Sequence, residues 1–151
     1  NATCVPRQYM TGLAPSGTDA VWRFGRDGVP VALARDTSLG RPNGILVDRE
    51  GIVVVTFGSG DVYRLDARGR RVDLLRPPRG GLDGVVRAGD GSLLVSSWEG
   101  NAVYRLASVV GPWTVAADSV EAPADLGYDP MTGSVAIPLF NANRLVIRPV
   151  R

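Results

Sequence analysis

Three polar residues recur about 41 residues apart, each at the start of a short apolar run. They are Asn43 in Pro42-Asn43-Gly44-Ile45, Asp83 in Leu82-Asp83-Gly84-Val85 and Asp125 in Pro123-Ala124-Asp125-Leu126. A carboxylate, a carboxamide oxygen and nearby backbone carbonyls are the oxygen ligands that hard divalent cations prefer. An ion held this way polarises a carbonyl and lowers the pKa of a bound water. A neighbouring aspartate then takes up the proton without any histidine. The same Asn-Gly and Asp-Gly pairs are also ordinary turn formers, with the side chain capping backbone donors and glycine taking positive φ. Recurrence in register keeps both readings open for Asn43 and Asp83, with Asp83 as the candidate base and Asp125 on the wall beside them.

The rest of the composition narrows the chemistry. All 17 basic residues are arginine, and there is no histidine and no lysine. That excludes a Ser-His-Asp or Cys-His pair, an imidazole metal ligand, a Schiff base and a Walker lysine. The single cysteine, Cys4, excludes an internal disulfide framework and a four-thiolate zinc site. Asn1-Ala2-Thr3 spells a glycosylation acceptor, a short and weak match.

The elements that would position Asn43, Asp83 and Asp125 are written in a repeat. Val21-Trp22-Arg23-Phe24, Val62-Tyr63-Arg64-Leu65 and Val103-Tyr104-Arg105-Leu106 share one order at a 41-residue spacing, and Arg144-Leu145-Val146-Ile147 is a worn fourth copy. Before the second, third and fourth copies come an apolar run, a turn rich in Gly, Asp or Pro, and a second β-branched run. Turn residues between such runs read as antiparallel hairpins. A period of about 40 to 45 residues with strand-rich repeats is the signature of propeller blades. The expected fold is all-β, with blades of four antiparallel strands.

The expected division is an irregular segment over 1–18, a partial blade over 19–40, blades over 41–80 and 81–120, and a partial blade over 121–151. A second strand of the first blade is expected near Arg7 to Met10. About three and a half blades leave strand edges open, and open edges recruit neighbours. Another protein chain, or further blades, is therefore the expected cover.

A formal net charge of +2 gives no general pull on nucleic acid, and no aromatic ladder accompanies the basic residues. Arg68, Arg70, Arg71, Arg76 and Arg79 cluster on one outer hairpin and the loop after it. They form a candidate docking patch for an acidic surface or for anionic headgroups, with a solvated blade edge as the plainer reading. No apolar run approaches 18 residues, so no transmembrane segment is expected.

These stretches resemble the SMP-30/gluconolactonase/luciferin-regenerating enzyme group, with NHL-type propellers sharing the grammar. The resemblance rests on 42–66, on 82–106, on Ala122-Pro123-Ala124-Asp125-Leu126-Gly127-Tyr128 and on Pro138-Leu139-Phe140-Asn141-Ala142-Asn143-Arg144. The last two phrases look like its exported bacterial members. The resemblance implies a six-bladed propeller that hydrolyses lactones with one divalent cation (Ca²⁺, Mg²⁺, Mn²⁺ or Zn²⁺). It also implies metal-ligand roles for Asn43 and Asp83, a base role for Asp83, and a periplasmic or other extracytoplasmic setting. The group's third ligand, a glutamate from an early blade, has no counterpart here. Two readings follow: a non-catalytic propeller serving as a scaffold subunit, and a metal-dependent lactonase whose remaining blades lie outside this chain.

Overall fold

The computed structural model describes Gly17, residues 19–108 and residues 110–150. Cys4, the Asn1 acceptor and the strand expected near Arg7 to Met10 lie outside the described residues.

Among the described residues the fold is all-β, with four antiparallel sheets formed in chain order. β1 (Ala20–Phe24) pairs with β2 (Pro30–Arg35). β3 (Pro42–Asp48), β4 (Gly51–Thr56), β5 (Val62–Leu65) and β6 (Arg71–Asp73) form a four-stranded meander. β7 (Leu82–Arg87), β8 (Leu93–Ser97), β9 (Ala102–Leu106) and β10 (Trp113–Ala117) form a second. β11 (Gly127–Asp129), β12 (Ser134–Leu139) and β13 (Arg144–Pro149) form the last sheet. The helical content is two short 3-10 turns, at Thr37–Leu39 and Phe140–Ala142.

Successive sheets stack face to face. Val53, Val55 and Val62 of the second sheet bury against Leu82, Val95 and Leu106 of the third. Leu94 and Val103 meet Val135 and Ile137 of the fourth, and Val21 of the first meets Val54 and Leu65 of the second. This explains why β4 and β8 read as unbroken apolar runs rather than alternating ones. A strand packed by neighbours on both faces has no solvent side. The arrangement is that of β-propeller blades.

The repeated phrase has a physical reason at each letter. Val62 and Val103 lie on β5 and β9, the third strands of their sheets, and Leu65 and Leu106 are buried. The arginine between them staples the first hairpin of its own blade. Arg64 bonds Asp48 at 3.1 Å and Glu50 at 3.2 Å, and Arg105 bonds Ser92 at 3.1 Å and also Asp90. Together these pairs hold Asp48 and Asp90 down to a pKa of about 2, through arginine bonds for Asp48 and through Ser92 and then Arg105 for Asp90. Arg87 also reaches Asp48, linking the third sheet to the second.

Candidate functional site

Asn43-Gly44 and Asp83-Gly84 lie inside β3 and β7, not in turns. Pairing shifts register between Pro42 and Ile45, and again between Leu82 and Val85, so each pair forms a bulge in the first strand of its blade. Neither glycine has positive φ, so the turn-former reading does not apply to them. Glycine is needed for another reason. A Cβ on Gly44 would stand 2.2 Å from the Asp83 carbonyl oxygen, and one on Gly84 would stand 2.7 Å from the Asp125 Cα. Each bulge thus receives the backbone of the next blade, and Asn43, Asp83 and Asp125 become neighbours.

Asp83 is the centre of the group. Its Oδ2 accepts a hydrogen bond from the Trp98 indole at 3.0 Å, and the Asn43 side chain also bonds the carboxylate. Burial pushes the carboxyl pKa up, the indole bond opposes that, the nearby Asp125 charge adds to it, and the Asn43 bond opposes it again. Asn43 and Asp125 are exposed, and Asp125 Oδ1 accepts from the Leu126 backbone N–H at 3.0 Å.

Trp98 belongs to a second set that the sequence reading did not single out. Phe57, Trp98 and Phe140 each follow the second strand of a blade, at the end where the first strands begin. Phe57 and Trp98 meet edge to face at 5.3 Å between ring centres, and Trp98 and Phe140 meet at 5.2 Å with a 44° tilt. The signal was present, since these aromatics recur at the same 41- to 42-residue interval as the strands. They make an arc of rings across three blades, joined to Asp83 through the Trp98 indole.

The geometry tests the divalent cation that the resemblance implies. One Asp83 oxygen is engaged by an indole N–H, and an amide bonded to the carboxylate turns its N–H₂ rather than its oxygen toward the site. Asp125, in the bend before β11, folds back on the N–H of the residue that follows it. What remains falls well short of the roughly six to eight oxygens of a calcium shell. Among the described residues no three His, Cys, Asp or Glu side chains converge as a metal-binding group. The residues present do not fit a tightly held divalent ion.

The five arginines of the candidate patch are divided between two ends of one hairpin. Arg68 and Arg70 sit at the turn after β5, where Arg70 bonds Asp66 at 2.7 Å. Arg71 opens β6, lies 4.3 Å over the Tyr63 ring and bonds Asp61 at 3.0 Å. Arg76 and Arg79 follow β6 toward the opposite end. There Arg76 also bonds Asp61, and both line a cleft of about 230 Å³ with Pro77, Pro78 and Glu99.

No protein-family model matches the sequence, and no curated protein matches it. Solved structures do. The chain is similar to virginiamycin B lyase from Staphylococcus aureus at 16% identity and a TM-score of 0.59, over 87% of this chain and 49% of that one. It is similar to a putative gluconolactonase at 20% identity and a TM-score of 0.62, over 87% and 47%. It is also similar to a chain of a nidogen/laminin complex at 12% identity and a TM-score of 0.65, over 89% and 59%. The chain spans about half the length of these structures. At such identities the likeness shows the β-propeller fold, in the form of a partial propeller.

Proposed function

We propose that this chain is a non-catalytic, SMP-30-like propeller module that serves as an interaction subunit of an extracytoplasmic assembly, periplasmic in a bacterium. The observation that carries the reading is the pair of apolar surfaces on its outermost sheets. Trp22 and Phe24 of β1 are 50% and 68% exposed, and Leu145 and Ile147 of β13 are 58% and 62% exposed. Exposed large apolar side chains grouped on one strand mark interaction sites, and β13 has no partner on its far edge among the described residues. The partner is another protein chain or further blades. The periplasmic setting follows the resemblance to exported members alone. No helix is long and apolar enough to cross a membrane, and the Arg68–Arg70 turn suits contact with an anionic surface.

The lactonase reading is favoured by one observation, the meeting of Asn43 with Asp83. Against it stands the engagement of that carboxylate by Trp98. The neighbours include a lyase, a putative gluconolactonase and a protein–protein complex, so the fold by itself selects neither task.

Sedimentation of the purified chain tests the proposal. Assemblies heavier than 16.0 kDa are expected, weakened when Phe24→Ser is combined with Ile147→Ser. A stable monomer of 16.0 kDa at about 100 μM, on the scale of weak transient contacts, would overturn it. Lactone hydrolysis supported by Ca²⁺, Mg²⁺, Mn²⁺ or Zn²⁺ and lost in Asp83→Ala would establish the other reading.

A further inference from the structure

Most aspartates of the two central sheets are neutralised by arginine. Asp48 pairs with Arg64 and Arg87, Asp61 with Arg71 and Arg76, and Asp90 with Arg105. Asp83 and Asp125 are different. They come from adjoining blades, where the Asp125 backbone packs against Gly84 next to Asp83, and no arginine pairs with either among the described residues. Trp98, bonded to Asp83, is the middle ring of the arc of Phe57, Trp98 and Phe140, whose ring faces are themselves electronegative. In a chain of net charge +2, this is a negative mouth built from carboxylates and aromatic rings.

We propose that this mouth binds the guanidinium group of an arginine presented by a partner protein. Guanidinium is planar, weakly hydrated and always charged, so it stacks on aromatic faces while its fork donates to carboxylates. Acceptor positions remain in that geometry. The Trp98 indole and the Asn43 amide take two positions on Asp83 and the Leu126 backbone N–H takes one on Asp125, out of about four on each carboxylate. Phe140, 42% exposed and packed against Trp98, offers the open ring surface. An ammonium would gain less, because it cannot stack and fork at once. The inference rests on the interaction-module reading only in taking the arginine as part of a partner rather than of a substrate.

The test follows the Trp98 indole N–H by NMR while acetyl-Gly-Gly-Arg-Gly-Gly-amide is added. Trp22→Phe and Trp113→Phe variants assign the signal. A saturable shift is expected, with binding at least about fivefold weaker for the citrulline peptide, which has the same shape and no charge. Asp125→Asn and Phe140→Leu change exposed side chains and are expected to weaken binding by roughly three- to tenfold each. No shift up to about 10 mM peptide, the same shift with citrulline, or unchanged binding in both variants would overturn the proposal. So would a response to Ca²⁺ with none to the arginine peptide. The Phe24→Ser/Ile147→Ser variant leaves this titration unchanged, so self-association and arginine binding can fail separately.

Discussion

The Trp98 indole donates to the Asp83 carboxylate at 3.0 Å, and the two residues sit at the ends of adjacent strands, β8 and β7, of one blade. Trp98 is in turn touched by Phe57 and Phe140 from the blades on either side. Asp83 meets Asn43 and feels Asp125, from the same two blades. One hydrogen bond therefore joins two inter-blade contacts, one aromatic and one polar. A carboxylate in that position holds blades in place, which is a structural task and sets the first prediction.

Because burial raises the Asp83 pKa, ionising it opposes folding. The stability this group confers is present below its unfolded pKa and is lost as pH rises through its folded value. Asp83→Asn keeps an oxygen for the indole and removes the charge. Measured by urea unfolding, the stability of the natural chain relative to Asp83→Asn is expected to fall as pH rises above about 4, the ordinary carboxyl value. An advantage that grows with pH would show that the charge is stabilised in the folded state.

Asp48 carries the opposite sign. Its pKa of about 2 is set first by Arg64, with its own burial opposing that and Arg87 assisting. Its contribution is full above about pH 4 and fades as pH falls toward 2. The side chains of Asp48 and Arg64 are only 17% and 15% exposed. Asp48→Ala should therefore cost more than the ~1 kcal/mol of an exposed pair and less than the ~3–5 kcal/mol of a fully buried one. Denaturant melts at pH 7 and pH 2.5 check both the size and the loss of the difference.

Gly84→Ala is expected to destabilise by about 1–3 kcal/mol, because a methyl group there collides with the Asp125 backbone, which cannot rotate away. Gly44→Ala should behave alike, against the Asp83 carbonyl. Gly127→Ala is the control: its nearest neighbour would be 3.7 Å away, and a change within about 0.5 kcal/mol is expected. Equal losses at all three sites would mean that inter-blade contact is not what decides, since the backbone entropy term of Gly→Ala favours the folded state at such φ.

Arg105→Ala should loosen the first hairpin of its blade without disturbing the blade's core, since Arg105 ties the Asp90–Ser92 turn from outside. Faster amide exchange is expected near Gly89 to Ser92, with Leu94 and Val103 still protected. Uniform loss of protection would place the arginine in the global stability of the fold.

The strands were legible because their pattern is local. Val62 to Leu65 and Val103 to Leu106 repeat with the same polarity, and the turns between them hold Gly, Asp and Pro, so period and hairpins follow from adjacent residues. The candidate site was legible only as a list. Asn43 and Asp83 could be named from their register, with Asp125 one place beyond the equivalent Ala124, but two different roles fitted the Asn-Gly and Asp-Gly pairs equally well. The aromatic arc was missed because Phe57, Trp98 and Phe140 each look like the last apolar residue of a strand.

By itself the sequence determined the all-β class, the blade period, the absence of histidine and lysine chemistry, and the shared register of Asn43 and Asp83. Those properties depend on residue types and short spacings. Only the tertiary structure decided that Gly44 and Gly84 are inter-blade contacts, that Trp98 takes the Asp83 carboxylate, and that the arginine run divides between two ends of a hairpin. Each of these depends on the rotation from one blade to the next. That rotation brings residues about 40 positions apart within van der Waals distance, and it is set by the packing of whole sheet faces rather than by any local stretch of chain.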